Sequence, residues 1–131
     1  MPEKRLVLLG GGHSHILLLK QLGMRPIKGL FTSLVTPDAA MIYTGMLPGT
    51  IMGNYDHDDI QVDLAKLANY AKSRVIFDSV TSINLEEKHL SLVKRSSLSF
   101  DILSIDIGIN YSLTNIKGFG KFVLPIKPFM N

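Results

Sequence analysis

A glycine-rich turn between an apolar run and a helical pattern is the feature that most constrains this chain. Residues 5–9 form a short apolar run, and three glycines at residues 10–12 follow this run directly. Such a run is typical of a strand buried on both faces of a parallel sheet. A helical pattern over residues 13–22, ending at Gly23, leads to a second apolar run over residues 30–35. This order predicts a βαβ unit with a right-handed crossover.

The rest of the pattern predicts further elements of an α/β domain. The expected elements are a long loop over residues 39–54, a helix over 58–72, a third strand over 74–77, a hairpin of strands 80–85 and 89–94, and a strand over 98–107. We therefore predict one α/β domain with a parallel sheet, a βαβ entry and an added hairpin or meander.

Composition excludes several classes of protein. Of the 131 residues, 46% are hydrophobic and 19% charged, and the net charge is only +3. This small, scattered surplus does not indicate nucleic-acid binding. The chain has no Cys, which excludes disulfides and zinc–thiolate sites and fits a cytoplasmic protein. Glycines or prolines interrupt both long uncharged runs, so we predict neither a signal peptide nor a transmembrane segment.

The glycine positions predict a dinucleotide site. In the dinucleotide-binding fingerprint, the glycine at the position of Gly10 permits the tight turn, and the glycine at Gly12 lets a pyrophosphate approach the backbone at the helix start. His15 stands where the fingerprint has a third glycine. The alternative is a turn that only joins the strand to the helix.

The second strand ends without the acidic residue that normally binds a ribose hydroxyl. Thr36 stands there, followed by Pro37 and Asp38. A threonine hydroxyl can hydrogen-bond a ribose, although more weakly than a carboxylate. We expect Thr36 and Pro37 to line an adenosine, and Asp38 either reaches back to it or is an ordinary turn residue.

The segment between Asp38 and Asp56 carries no charge, which is unusual for a loop facing solvent. Its composition suits a flat apolar ligand or a partner surface. A loop folded over the core is the alternative. No metal site is predicted, because His13 and His15 are two residues apart and would point to different faces of a helix. Helix capping explains the acidic residues 56–59 better than a bound cation.

Three segments together resemble a flavoprotein family. They are residues 8–15 (Leu-Leu-Gly-Gly-Gly-His-Ser-His), 34–38 (Leu-Val-Thr-Pro-Asp) and 43–49 (Tyr-Thr-Gly-Met-Leu-Pro-Gly). They resemble the FAD-binding start of the pyridine nucleotide-disulfide oxidoreductase superfamily, in the branch similar to type II NADH dehydrogenases. Within that branch, the resemblance is greatest to the flavoproteins fused to, or near, selenide, water dikinase, which implies a functional link to that enzyme.

The C-terminal third of the chain extends the resemblance. Residues 100–108 resemble the strand that returns toward the flavin and ends at a glycine, with Asp106-Ile107-Gly108 in place of the usual Ala-Thr-Gly. Asp106 lies either near the flavin or as a carboxylate facing a turn. Residues 125–128 resemble the link into the NAD(H)-binding domain.

The resemblance implies a Rossmann-like FAD/NAD(P)-binding fold and an FAD-dependent oxidoreductase in which a hydride passes from NAD(P)H to the flavin. It implies that residues 1–131 are the N-terminal portion of an FAD-binding domain, incomplete and without the NAD-binding domain, and inactive alone. Catalytic residues stay unassigned. The cofactor-binding residues that it implies are Gly10, Gly12, His13, Ser14, His15, Thr36, Pro37, Tyr43, Thr44, Gly45, Met46, Leu47, Pro48, Val80 and Gly108.

A second hypothesis is a non-catalytic interaction module whose glycine-rich turn is empty. A complete NAD-dependent dehydrogenase is disfavoured, because no second glycine motif or substrate domain follows. Without Cys near the loop, a redox-active dithiol is excluded, and the electron acceptor is left open among a quinone, another small molecule and a partner protein. The apolar surface of such a fragment predicts a homo-oligomer.

Overall fold

The computed structural model describes residues 2–108 and Lys117. The strands are β1 (Lys4–Leu9), β2 (Leu30–Thr36), β3 (Ala40–Ile42), β4 (Gln61–Asp63), β5 (Arg74–Phe77), β6 (Val80–Asn84), β7 (His89–Leu92), β8 (Leu98–Ser99) and β9 (Ile102–Ile105). The α-helices are α1 (His13–Met24), α2 (Leu47–Ile51) and α3 (Leu64–Tyr70), and single 3₁₀ turns lie at Thr44–Met46 and His57–Ile60. Residues 125–128, which resemble the link into an NAD(H)-binding domain, lie outside the described residues.

A parallel sheet forms the centre of the fold, with the strand order β5-β2-β1-β9. Helix α1 connects the neighbouring parallel strands β1 and β2, which confirms the predicted βαβ unit. Leu9 at the end of β1 lies opposite Val35 of β2 and Ile105 of β9. The carboxyl ends of these three strands therefore meet at one edge of the sheet, where parallel α/β sheets bind ligands.

The two faces of the sheet are covered by different layers. Because successive side chains of a strand point to opposite faces, alternate residues of β1 enter separate cores. Leu6 and Leu8 pack with Leu19 of α1 and Leu64 of α3. On the other face, Val7 and Leu9 pack in a cluster with residues of the hairpin sheet, among them Leu90 of β7. The parallel sheet is thus buried between helices and an antiparallel sheet.

The antiparallel layer confirms the predicted hairpin, since β6 pairs with β7 and β7 pairs with β8. The single strand predicted over residues 98–107 was wrong. It divides into β8, which joins the hairpin sheet, and β9, which joins the parallel sheet. The change of sheet falls between Phe100, whose N–H donates to Lys88, and Asp101, whose N–H donates to Arg5. An apolar run read from sequence does not reveal which partner each half pairs with.

Residues 39–72 also differ from the prediction. The predicted loop contains β3, which pairs with β4 in an antiparallel register from Ala40 opposite Asp63 to Ile42 opposite Gln61. The predicted helix over residues 58–72 was wrong at its start, because this pairing holds residues 61–63 extended and α3 begins only at Leu64. Residues 56–59 do have a capping role, since the Asp56 N–H donates to the Asp59 carboxylate at 3.0 Å before the 3₁₀ turn.

Gly23 does not end α1, as the pattern had suggested. It lies inside the helix, and a Cβ at this position would collide with the ring of Tyr70 on α3. The glycine is therefore explained by close packing of α1 against α3. Within the described residues, no helix combines the length and the apolar composition needed to cross a membrane.

Candidate functional site at the glycine-rich turn

The glycine-rich turn lies at the carboxyl edge of the parallel sheet. It is flanked by the ends of β2, where Thr36 and Pro37 stand, and of β9, where Asp106 follows. Ser14 and Asp106, which are 92 positions apart in the sequence, thus meet at this edge. We name this region the turn site, defined by residues 10–15, 36–38 and 106–108.

Gly10 is required by both its backbone conformation and its surroundings. Its φ of 95° lies in the region that side chains disfavour. A Cβ would also collide with the main-chain carbonyl of Asp106. The Gly10 N–H donates to the carbonyl oxygen of Val35 at 2.8 Å, which fixes the turn to the end of β2. The predicted role of Gly10 as the tight-turn residue agrees with this geometry.

Gly12 is required for a different reason. Its φ of −69° and ψ of 174° are accessible to any residue. A Cβ on Gly12 would instead collide with all three carboxyl-group atoms of Asp106. The Gly12 N–H also donates to the Asp106 carbonyl oxygen at 3.1 Å. In this structure the close approach that Gly12 permits is made by Asp106.

The Asp106 carboxylate lies at the start of α1. Its Oδ2 accepts a hydrogen bond from the Ser14 N–H at 2.9 Å, and Gly12 itself supplies no side-chain cap. The first N–H groups of a helix lack acceptors within the helix, and the helix dipole makes this end favourable for an anion. Asp106 therefore caps α1 from a strand 92 residues away in the sequence.

His15 connects the glycine-rich turn to β9. Its side chain is buried, with 2% exposure. Nδ1 lies 2.7 Å from the carbonyl oxygen of Gly10, and Nε2 lies 2.9 Å from the Ser104 hydroxyl. A carbonyl oxygen can only accept, so Nδ1 carries the proton, and in the neutral ring Nε2 accepts from Ser104. Both ring nitrogens are thereby used inside the protein.

His13 and Tyr43 form a second contact at the turn site. His13 is exposed at the first position of α1, and its ring meets that of Tyr43 edge to face with centroids 5.0 Å apart. The opposite placements of His13 and His15 agree with the prediction that they occupy different faces of the helix. The contact also brings the start of the uncharged segment beside the glycine-rich turn.

The end of β2 is closed by a local turn. Thr36 is buried, and its hydroxyl lies 3.3 Å from the Asp38 N–H, which donates to it. Pro37 and Asp38 are exposed. Thr36 and Pro37 thus lie beside the glycine-rich turn, as expected for residues lining an adenosine. In this structure, however, the Thr36 hydroxyl is engaged by the turn.

The remaining predicted site residues occupy separate places. Thr44, Gly45 and Met46 form a 3₁₀ turn, and Leu47 and Pro48 begin α2. The Tyr43 N–H anchors this segment by donating to the Ile60 carbonyl oxygen at 2.8 Å.

The uncharged segment is neither folded over the core nor exposed throughout its length. Met41 packs against the helix-side core, whereas Ile51 and Met52 are 78% and 75% exposed.

Val80 and Gly108 lie on different elements of the fold. Val80 begins β6 and packs against the hairpin-side core. Gly108 follows β9 at the carboxyl edge with a φ of 75°, and its missing Cβ would meet open space. The structure therefore brings Gly108 to the turn site, whereas Val80 is partly buried against the hairpin-side core, three residues after the end of β5.

Two residues at this edge were not among the predicted cofactor-binding residues. Asp106 was recognised only as a carboxylate near a flavin or facing a turn, and Ser104 was not singled out at all. The available signal was a pair of polar residues in the otherwise apolar run of residues 102–107. Polar groups inside buried strands need partners, and here the partners are Ser14 and His15.

Comparison of the fold with solved structures gives clear matches. Residues of this chain superpose on the sulfide:quinone oxidoreductase of Aquifex aeolicus with 23% identity and a TM-score of 0.72, covering 84% of this chain and 25% of that one. CoADR-RHD of Bacillus anthracis matches with 19% identity and a TM-score of 0.74, covering 90% of this chain and 23% of that one. NDH2 of Plasmodium falciparum, solved in complex with NADH, matches with 19% identity and a TM-score of 0.69, covering 88% of this chain and 24% of that one.

These structures decide the fold. The chain has the Rossmann-like fold of these three proteins. It spans about a quarter of the length of each of the three proteins. No family model and no curated protein matches the sequence. The predicted resemblance is thus confirmed at the level of the fold, with the parallel sheet and glycine-rich turn as its centre.

Proposed function

We propose that this chain is the FAD-binding portion of an FAD-dependent NAD(P)H oxidoreductase. The observation that carries the proposal is the placement of the glycine-rich turn between a buried parallel strand and the start of α1. Free N–H groups and the helix dipole at such a position attract a pyrophosphate. The adjacent end of β2 supplies Thr36 and Pro37 for the adenosine. The likeness in fold to oxidoreductases supports the same assignment.

The residues present fit a dinucleotide in backbone geometry. Gly10 makes the turn that directs the chain into α1, and Gly12 leaves its approach free of a Cβ. His13 and Tyr43 present aromatic rings at the rim of the turn site. The Asp106 carboxylate lies at the start of α1, where its charge opposes a phosphate. FAD fits this site when the Asp106 carboxylate has moved away from the start of α1.

In the proposed whole protein, bound FAD supplies the group that accepts a hydride from NAD(P)H. The residues described here would hold its adenine dinucleotide half, and they include no assigned catalytic residue. We propose that residues 1–131 belong to the FAD-binding domain and that the rest of the flavin site and the NAD(P)H site lie on further parts of the protein. The chain alone is then expected to bind nucleotide without oxidising NADH.

Titration of the chain with FAD, ADP and riboflavin tests the nucleotide assignment. FAD and ADP carry the pyrophosphate and should bind, whereas riboflavin lacks it and should bind much more weakly. His13→Glu places a carboxylate at the first position of α1, where it favours the helix but repels phosphate. We expect about tenfold weaker binding of ADP in calorimetry.

Gln21→Glu is the matched control for His13→Glu. It adds the same charge to an exposed position of the same helix, away from the glycine-rich turn. Its affinity for ADP should equal that of the parent. If neither FAD nor ADP binds to the folded parent chain or its variants, the nucleotide assignment is wrong.

The alternative is a non-catalytic interaction module with an empty glycine-rich turn. Two observations favour it: Asp106 already caps α1, and Ile51 and Met52 are exposed apolar residues near each other in sequence. Exposed apolar surface is typical of an interface, including that of a homo-oligomer. Light scattering over a range of concentrations, with and without FAD, separates this module from a monomeric nucleotide-binding chain.

A further inference from the structure

We propose that the Asp106 carboxylate is an internal occupant of the anion site at the start of α1 and determines how tightly a dinucleotide binds there. The inference rests on the proposed function, since it concerns the same turn site. It goes further by assigning an opposing role to a residue of this chain. A dinucleotide then binds by displacing a carboxylate from the start of the helix.

The first support is that Asp106 uses the groups that a pyrophosphate would need. Its carbonyl oxygen accepts from the Gly12 N–H at 3.1 Å, and its Oδ2 accepts from the Ser14 N–H at 2.9 Å. Its carboxyl group also fills the space beside the Gly12 Cα. A phosphate at this helix start has to replace the second hydrogen bond and enter that space.

The second support is the charge balance around Asp106. Among the described residues, carboxylates such as Asp101 and Asp63 form ion pairs with Arg5 and Lys66, but no ion pair includes Asp106. Its carboxylate accepts one hydrogen bond from these residues, that of the Ser14 N–H, and lies at the positive end of the α1 dipole. A bound pyrophosphate would therefore compete for that same electrostatic stabilisation and would be repelled if Asp106 stayed in place.

The third support is that the carboxylate can leave without disturbing the core. Asp106 lies after the last residue of β9 and is only half-buried, and Ile107 and Gly108 behind it are exposed. The Asp106 side chain can thus turn away from α1 while its main chain stays hydrogen-bonded to Leu9 and Gly12 and the buried His15–Ser104 contact holds α1 to β9.

Asp106→Asn is the direct test, because Asn keeps an oxygen for the Ser14 N–H and removes the charge. Calorimetric titration of the whole chain with ADP should give a dissociation constant at least about tenfold lower than that of the parent, as expected when a like charge within a few ångströms is removed. Asp106→Ala should show the same direction, which excludes an effect of the added Asn amide. Circular dichroism establishes that each variant is folded.

Two controls make the test specific. Asp101→Asn removes the same charge from the opposite end of the β9 segment, where the carboxylate pairs with Arg5, and should leave the affinity for ADP unchanged. Adenosine carries no phosphate, so its affinity should be the same for the parent and Asp106→Asn.

The outcomes separate the two proposals. ADP binding of equal strength in the parent, Asp106→Asn and Asp106→Ala would overturn the role of Asp106 and retain the nucleotide site. Weaker binding in both variants would also overturn it, because Asp106 would then support the ligand. Absence of ADP and FAD binding in all three folded chains would overturn the proposed function and this inference together.

Discussion

Helices α1 and α3 lie side by side on one face of the sheet, but their N-termini are capped in different ways. Helix α3 begins after Asp63, whose carboxylate accepts from the Lys66 N–H at 2.9 Å within the same turn. Helix α1 begins after Gly12, which has no side chain, and receives its acceptor from Asp106 on a distant part of the chain. The cap of α3 comes from the residue directly before the helix, whereas the cap of α1 comes from a residue that is distant in the sequence.

This difference separates a structural helix start from a functional one. A local cap such as Asp63 accepts a hydrogen bond from a first-turn N–H of its own helix, so that this N–H is not available to a ligand. A helix that lacks its own cap must obtain acceptors from elsewhere, from either the protein or a bound anion. The comparison therefore supports the proposed exchange of acceptors at α1, and the following predictions test the difference between the two helix starts.

The largest effect is expected at the third helical position, which is His15 in α1 and Lys66 in α3. His15→Ala removes a buried ring and leaves the Gly10 carbonyl and the Ser104 hydroxyl without this partner. We expect the free energy of unfolding to fall by about 2–4 kcal/mol. Lys66→Ala, whose side chain is 87% exposed, should change it by less than about 0.5 kcal/mol. Equal effects in urea unfolding would show that the two helix starts do not differ as described.

An intermediate effect is expected for Gly12→Ala. Its Cβ would push the Asp106 carboxyl group away from the Ser14 N–H, and loss of a helix cap costs about 0.5–2 kcal/mol. In an Asp106→Ala background the colliding atoms are absent, so Gly12→Ala should cost clearly less. Thermal unfolding of the four chains forms a double-mutant cycle. Additive effects would contradict the direct contact between positions 12 and 106.

The smallest effect concerns the acid stability of the local cap. The hydrogen bond from the Lys66 N–H is the main cause that lowers the pKa of Asp63 below its ordinary value of 3.8. A lowered pKa in the folded state stabilises the protein above the unfolded value, and this stabilisation is lost as the pH falls through the folded pKa. The parent should therefore lose part of its thermal stability below about pH 4.

Asp63→Asn tests this titration directly. Asn does not titrate but still accepts the hydrogen bond from Lys66, since it is also a good N-cap residue. The melting temperature of the variant should fall less between pH 5 and pH 3, by a few degrees at most. An identical slope in parent and variant would show that the Asp63 cap does not contribute to acid stability.

The sequence alone was sufficient for the central part of the fold. The apolar runs of β1, β2 and β5 and the helical pattern of α1 are local signals, and each was placed within a residue or two. Residues 61–63 were predicted as helix but are extended, because they pair with β3. Residues 98–99 were predicted correctly as extended, but they pair with β7 and belong to a different sheet from residues 102–105. Pairing between distant segments leaves little trace in a local pattern of hydrophobicity.

The turn site was predicted in position but not in its contacts. Gly10 forms the tight turn that the sequence predicts, whereas the approach of a pyrophosphate to Gly12 stays a prediction. What approaches Gly12 in this structure, however, is Asp106, and His15 faces inward to Ser104. Both contacts join residues about 90 positions apart. Their types fit several partners, and only the fold selects among them.

The contact between Gly12 and Asp106 also changes how this sequence motif is read in related proteins. Glycine at position 12 admits the carboxylate of position 106, and in the proposed nucleotide site it would also admit a phosphate. A search that reads only the glycine pattern cannot distinguish these two causes. Where an acid occupies the position of Asp106, contact with its carboxylate explains the glycine without a nucleotide. Where a small residue occupies that position, this contact is missing, and a bound phosphate is the remaining explanation of the glycine. The two positions are therefore informative as a pair.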